Sequence, residues 1–294
     1  MKLDMVGCTP GELLDLQREI LERLSGNDGN VWLGRYKRLH QWENPFAELV
    51  EASAPADAWK DELVGAMRKK LARFSRHWAR QVLPVPDAWT PEFLARVGAY
   101  NMRPVFFPDV DINKTFRRKG YVKPEPWFYD QARARINGDT LTKLRKGWAL
   151  ADFTVGTDYT NGTQVFPGDP WTGLITELRQ KKLVGRYDNT PPGSRFSITW
   201  DEWNSIALVY MASKLGVTRA QMSLERAVEF NFLGNVYDNQ RGRFNMWEWF
   251  VDMFGGGRRL IGGTRGGGGL ANASYYRHGD RHPRVAGRPL VRFL

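Results

Sequence analysis

The sequence predicts an α+β protein with a helical N-terminal region, and three observations predict it. Residues 10–83 carry apolar side chains at helical spacing. Beyond Pro84-Val85-Pro86 the texture changes to short aromatic and β-branched runs cut by Pro, Gly and Asn. Helices fall between those runs without the regular strand–helix alternation of a parallel sheet. The 294 residues, 42% hydrophobic and 13% aromatic, suffice for one large or two ordinary domains with a real core. We divide the chain into a helical region at 1–83 and an α+β domain at 84–294.

The first helix opens at Thr9-Pro10, where proline suits the first turn. Leu13, Leu14, Leu16, Ile20, Leu21 and Leu24 make one apolar stripe, and Ser25-Gly26-Asn27-Asp28-Gly29 ends it. A second helix is expected over 57–82. Leu63, Val64, Met67, Leu71, Phe74 and Trp78 form its apolar face, opposite Arg68, Lys69, Lys70, Arg73, Arg76 and Arg80. Such a basic face suits a membrane surface or nucleic acid. Region 1–83 is nearly neutral, however, with 13 basic and 12 acidic residues, which favours a solvated face. Strand-like runs follow at Val105-Phe106-Phe107-Pro108, at Trp148 to Thr154 and at Arg195-Phe196-Ser197-Ile198-Thr199. A helix is expected at 172–182. Another starts at Thr199-Trp200-Asp201-Glu202, which fits a capping box, and runs to Leu215-Gly216.

Lys plus Arg number 43 and Asp plus Glu 32, a net charge of +11. A surplus of that size suggests an anionic partner. Residues 255–294 hold eight arginines against one acid, Asp280, and 11 of the 30 glycines. The unusual chemistry is therefore concentrated at the C-terminal end. A single cysteine, Cys8, excludes a disulfide within the chain and a cysteine-held zinc, and fits a reducing compartment. Met1-Lys2-Leu3-Asp4-Met5 is not a secretory start and no apolar run reaches membrane length, so a cytoplasmic location without a membrane span is expected.

Motifs that would carry chemistry fail on inspection. Asp109-Val110-Asp111-Ile112-Asn113 begins like a calcium loop, but Lys114 and Gly120 stand where Gly and Glu are needed. Asp201 and Glu202 are adjacent, so a helix does not face them together, and the cap already explains Glu202. His278 and His282 have a metal spacing only in a helix, which Gly279 and Pro283 oppose. There is no phosphate-binding loop and no nucleophile elbow. Gly262 to Gly269 is no dinucleotide fingerprint, although Arg265-Gly266-Gly267 is similar to segments that hold RNA. The expectation is a protein that is not an enzyme and needs no cofactor or metal.

One stretch is more specific. Asn245-Met246-Trp247-Glu248-Trp249 is followed by Asp252, by Arg259-Leu260-Ile261-Gly262-Gly263 and finally by Gly287-Arg288-Pro289-Leu290. These roughly fifty residues resemble the C-terminal part of the formylglycine-generating-enzyme branch of the C-type lectin fold. Departures are Gly242-Arg243 near the start, Thr264 after Gly263 and the missing Phe between Gly287 and Arg288. The resemblance implies a C-type lectin-like domain at 84–294. That family's enzymes use a late cysteine pair, which is lacking here, so it implies the fold without the oxidase chemistry. The chain is also similar to the variable proteins of diversity-generating retroelements, which place a diversified segment at the extreme C-terminus of such a domain. This would be about 258–294 here, with Trp247, Trp249, Phe250 and Phe254 as core and Leu290, Val291 and Phe293 in the last strand.

In those proteins adenine-directed mutagenesis rewrites codons, and codons diversified in this way do not reach Lys, Glu, Gln, Met or Trp. Residues 266–285 contain none of the five. The residues then expected to bind ligand are Asn272, Ser274, Tyr275, Tyr276, His278, Asp280 and His282, with Arg277 and Arg281 beside them. Tyr supplies contact area with few rotors, and Asn and Ser adapt their hydrogen bonds. The expected ligand is a protein or cell-surface group. The alternative is a nucleic-acid-binding protein using the Arg/Gly tail and the basic helix. A third reading is a formylglycine-type enzyme with different chemistry, for which Cys8 is the one thiol.

Overall fold

All six residues of strand β2, Gly147–Asp152, are buried. A strand covered on both faces carries a continuous apolar run, here Trp148-Ala149-Leu150-Ala151. The structure is a computed structural model that describes residues 58–135 and 141–293, and the side chains of 132–135 are not included. The expected helix around Leu13 to Leu24, and Cys8, lie outside the described residues.

Strand β1, Met102–Phe107, pairs antiparallel with β2, Phe106 opposite Trp148. On the other side of β2 lies β8, Pro289–Phe293, with Leu290 opposite Ala151. The short β3, Met222–Leu224, completes this sheet in the order β1-β2-β8-β3. The second sheet contains β4 (Trp247–Gly255), β5 (Arg258–Gly262), β6 (Ala273–Arg277) and β7 (Val285–Gly287), in the order β6-β5-β4-β7. β4 and β7 run parallel, Trp249 opposite Gly287. Arg288 alone separates β7 from β8, so that one residue carries the chain from the second sheet to the first.

The mixed α+β class is present, and Glu62–Leu294 form one compact unit. The helix expected over 57–82 is two helices, α1 at Ala58–Ala72 and α2 at Arg76–Arg80. Ser75 is extended between them and donates its N–H to Leu71 O. Val64, Met67, Leu71 and Trp78 are buried while Arg68, Lys69, Arg73, Arg76 and Arg80 are exposed. Trp78 lies parallel to Phe116 and against Phe232, and Trp148 Nε1 donates to Pro84 O at 2.8 Å. Residues on both sides of Pro84 therefore share one core. Helices α3 (Pro91–Gly98), α4 (Pro126–Arg135) and α5 (Thr172–Gln180) follow.

Helix α6 has three stretches, Trp200–Glu202, a π-type turn at Trp203–Ala207 and Leu208–Leu215. It opens with the expected Thr199–Glu202 capping box and closes at left-handed Gly216. Helix α7, Ala227–Val236, is buried nearly all round and packs Phe230 against Phe250 of β4.

Two expectations need correction. Residues 195–199 are a buried loop rather than a strand. Ser197 has φ 62°, which breaks the extended run, and Arg179 Nη2 takes the Phe196 carbonyl that a ladder would have used. Trp247 is half-buried rather than core, whereas Trp249, Phe250 and Phe254 are buried as expected. No described helix is long and apolar enough to cross a membrane.

Candidate functional site

The C-terminal site rests on a buried set of charges at the joint between the sheets. Arg288 donates through Nε to Glu248 Oε1 at 2.9 Å and also to Thr154 O. Arg195 meets Asp169 at 2.6 Å, and Asp152 as well. Arg241 donates to Glu225 at 2.6 Å and to Asp152 O at 2.7 Å. The guanidiniums of Arg195 and Arg288 each lie 5.0 Å from the centre of the Phe166 ring. Burial pushes the Glu225 carboxyl up to about 8, with Arg241 opposing the shift and Glu248 adding to it. Asp152, Asp169 and Glu248, with Asp238 3.4 Å from Arg241 Nε, face the three guanidiniums.

Above the joint, residues 278–284 cross the start of α6 without regular structure. His278 Nδ1 is 2.6 Å from Asp201 Oδ2. Arg281 makes a forked pair with Glu202, 2.8 Å on each arm, and reaches Ser197 O. Tyr187 donates to Arg281 O at 2.7 Å, and Gln164 donates to Pro283 O. Glu202 also accepts from the N–H groups of Thr199 and Gly185, each at 2.9 Å. Burial works against the Glu202 charge, but the Arg281 and backbone bonds outweigh it and hold the carboxyl below the usual range. Asp201 and Glu202 thus serve two different residues of the tail, as side-by-side helix positions must.

β6 is an edge strand, and the four expected ligand-binding residues within it, Ser274, Tyr275, Tyr276 and Arg277, alternate between its two faces. Tyr275 lies on Phe254, centroids 4.1 Å apart and planes 8° apart, with Trp127 beside it and the Arg258 guanidinium 5.0 Å from its ring centre. Tyr276 points the other way, against Trp249 and edge-on to His282 at 4.9 Å. Asn272 turns inward, its Nδ2 3.5 Å from Glu125 Oε1, and Ala273 N donates to the same oxygen at 2.8 Å. Arg277 and Asp280 are exposed, and Ser274 is half-buried on the Tyr276 side of the strand.

Two residues absent from the expected set complete the Tyr276 side. The Arg284 guanidinium sits 4.2 Å from the centre of the Tyr159 ring. Arg284 N donates to His282 Nδ1 at 3.1 Å. Burial, and then the Arg284 charge, push the His282 pKa down, so the imidazole is neutral at pH 7. Nothing local marks Tyr159 in the sequence, because it comes from a loop more than a hundred residues earlier. The face is thus Tyr276, His282, Arg284 and Tyr159, mixed aromatic and polar, over a pinned backbone. It holds no nucleophile with an adjacent base.

Much of the tail's charge is answered by acids from elsewhere in the chain. Arg281, Arg288 and Arg292 pair with Glu202, Glu248 and Glu229, and Arg265 stands 3.6 Å from Asp158. The Gly-rich run is closely packed at some positions and open at others, such as Gly266 and Gly268. A Cβ on Gly242 would lie 2.5 Å from Leu270 N, one on Gly269 2.6 Å from Gly242 O, and one on Gly263 2.7 Å from the Phe230 ring. No family model, no curated protein and no solved structure matches the chain.

Proposed function

We propose that this chain is a ligand-binding protein without enzymatic activity, displaying a diversified C-terminal surface on a C-type lectin-like scaffold. In this reading its ligand is a protein or cell-surface group. The observation that carries the proposal is the division of labour within residues 274–284. His278 and Arg281 are tied to α6, while Tyr276, His282 and Arg284 remain partly open over that support. Such an arrangement lets side chains change without unfolding the chain that bears them. The lectin-like reading of the fold draws support from Glu248 and Arg288. They belong to the two motifs that carry the resemblance and are bonded to each other. Tyr-rich, mixed-polarity surfaces suit open protein epitopes better than deep pockets.

The deciding experiment is to sequence the DNA around the gene. An imperfect repeat of the stretch coding for 258–294, differing at adenines and lying near a reverse transcriptase, is expected. The differences should fall on codons for exposed or half-exposed residues such as Ser274, Tyr276, Asp280 and His282, and spare Gly263 and Arg288. A locus without such a repeat overturns the proposal. The nucleic-acid reading is supported by the exposed cations of α1 and α2, and less by the tail, where Arg265, Arg281, Arg288 and Arg292 are paired with acids. It requires binding that falls steeply with salt.

A further inference from the structure

A cleft of about 840 Å³ opens beside the edge of β3 and the adjoining parts of β4 and β5. That volume lies in the usual range for small-molecule sites. Its lining combines cations with apolar surface. Arg259 is half-buried, with its guanidinium 3.8 Å from the centre of the Trp200 ring. It spends one N–H on Val251 O at 3.1 Å, and among the described residues it has no carboxylate partner. A guanidinium held against an aromatic ring keeps its in-plane donors available for a carboxylate. Burial pulls the Arg259 pKa down, and the distant charges of Asp201 and Asp252 oppose that only in part.

The cleft's other charges leave this cation unanswered. Asp252 is taken up by Arg226 Nε at 3.2 Å and by Ala227 N at 2.7 Å. Asp87 is exposed at the rim. Arg292 is engaged with Glu229, while Arg145 is exposed and has no partner among the described residues. Val251, Met253 and Phe293 line the same space, and Met253 is 54% exposed, the largest value for a large hydrophobic side chain among the described residues. A bare inorganic anion would satisfy the cations and leave that apolar lining wet. An anion with a hydrocarbon body satisfies both.

We propose that this cleft binds a small organic carboxylate, its charged head on Arg259 with Arg145 nearby and its hydrocarbon body along Val251, Met253 and Phe293. Arg259 stands directly across β5 and β6 from Tyr276, so the cleft borders the proposed ligand face. The test is calorimetric titration of the full chain with hexanoate, with inorganic phosphate as comparison. Saturable hexanoate binding is expected, weakened about 10-fold or more by Arg259→Gln. Arg145→Gln should weaken it severalfold, and Arg145 is exposed with no bonded partner among the described residues, so loss there is not unfolding. Phosphate should bind more weakly than hexanoate. No saturable hexanoate binding, phosphate binding as tight as hexanoate, or an affinity unmoved by both arginine substitutions overturns the proposal.

Discussion

Arg288 and Glu248 are bonded at 2.9 Å where one residue carries the chain between two sheets. Both side chains are almost fully buried, so removing one charge leaves the other without its partner. Glu248→Gln or Arg288→Met should each cost about 3–5 kcal/mol in urea denaturation. The double variant should cost less than the sum, because neither charge is then stranded. Additive losses would mean that the pair does not act as a unit.

The Glu225 carboxyl makes the stability depend on pH in a direction opposite to most acids. Its pKa is about 8 in the fold against 4.5 for an ordinary glutamate. Between those values the folded chain holds a proton that the unfolded chain has released. This contribution is fully present below pH 4.5 and is lost as pH rises towards 8. Glu225→Gln keeps the neutral shape and cannot titrate, so it should flatten that part of the curve. Denaturation midpoints across the range measure it, and an unchanged pH slope would refute the assignment.

Arg281 and Asp280 are neighbours with opposite roles. Arg281 is forked onto Glu202, whereas Asp280 is exposed and its carboxylate has no partner among the described residues. Arg281→Ala should cost about 1–3 kcal/mol and speed amide exchange over 282–285. Asp280→Ala should stay within about 0.5 kcal/mol of the parent. Equal effects would show that the segment is not pinned through Arg281.

The contrast between these residues shows what a sequence reveals. The Thr199–Glu202 cap was legible because it is a four-residue pattern whose chemistry is local. β1 and β2 were legible as apolar runs, and β8 as the terminal one. Helix α7 was not, because Ala227-Val228-Glu229-Phe230-Asn231-Phe232 is covered on all sides and has no polar face to mark a period. Tail charge read as a local surplus, yet its balancing acids, Glu202, Glu229 and Glu248, lie outside the last forty residues. The separation of Tyr275 from Tyr276 follows from strand alternation, which becomes apparent only once Arg259 and Leu260 are seen beside them.

Histidine 282 offers a readout of the ligand face. Burial and Arg284 hold its pKa below 6.5, so the fold favours the neutral ring. The associated stability is present above pH 6.5 and is lost as pH falls through the lowered value. A ring-proton titration by NMR should give a midpoint below 6.5, and Arg284→Gln should move it upward. A midpoint at or above 6.5 in the parent chain would contradict the buried setting of the ring.

The glycine run distinguishes a packed support from a flexible basic strand. Gly256 has φ 57° and open space where a Cβ would go, so Gly256→Ala meets only backbone strain. That should cost about 1–2 kcal/mol. Gly242 has φ 72°, and its Cβ would also strike the backbone at Leu270 N and Gly269 C, 2.5 and 2.7 Å away. Neither neighbour is the tip of a movable side chain, so the chain around Leu270 must shift. Leu270 is itself held through its carbonyl by Asn231 Nδ2 at 2.8 Å. Gly242→Ala should therefore be clearly more destabilising than Gly256→Ala in thermal or urea unfolding. Equal tolerance at both positions would mean that residues 262–270 move freely, as an unanchored Arg/Gly segment would.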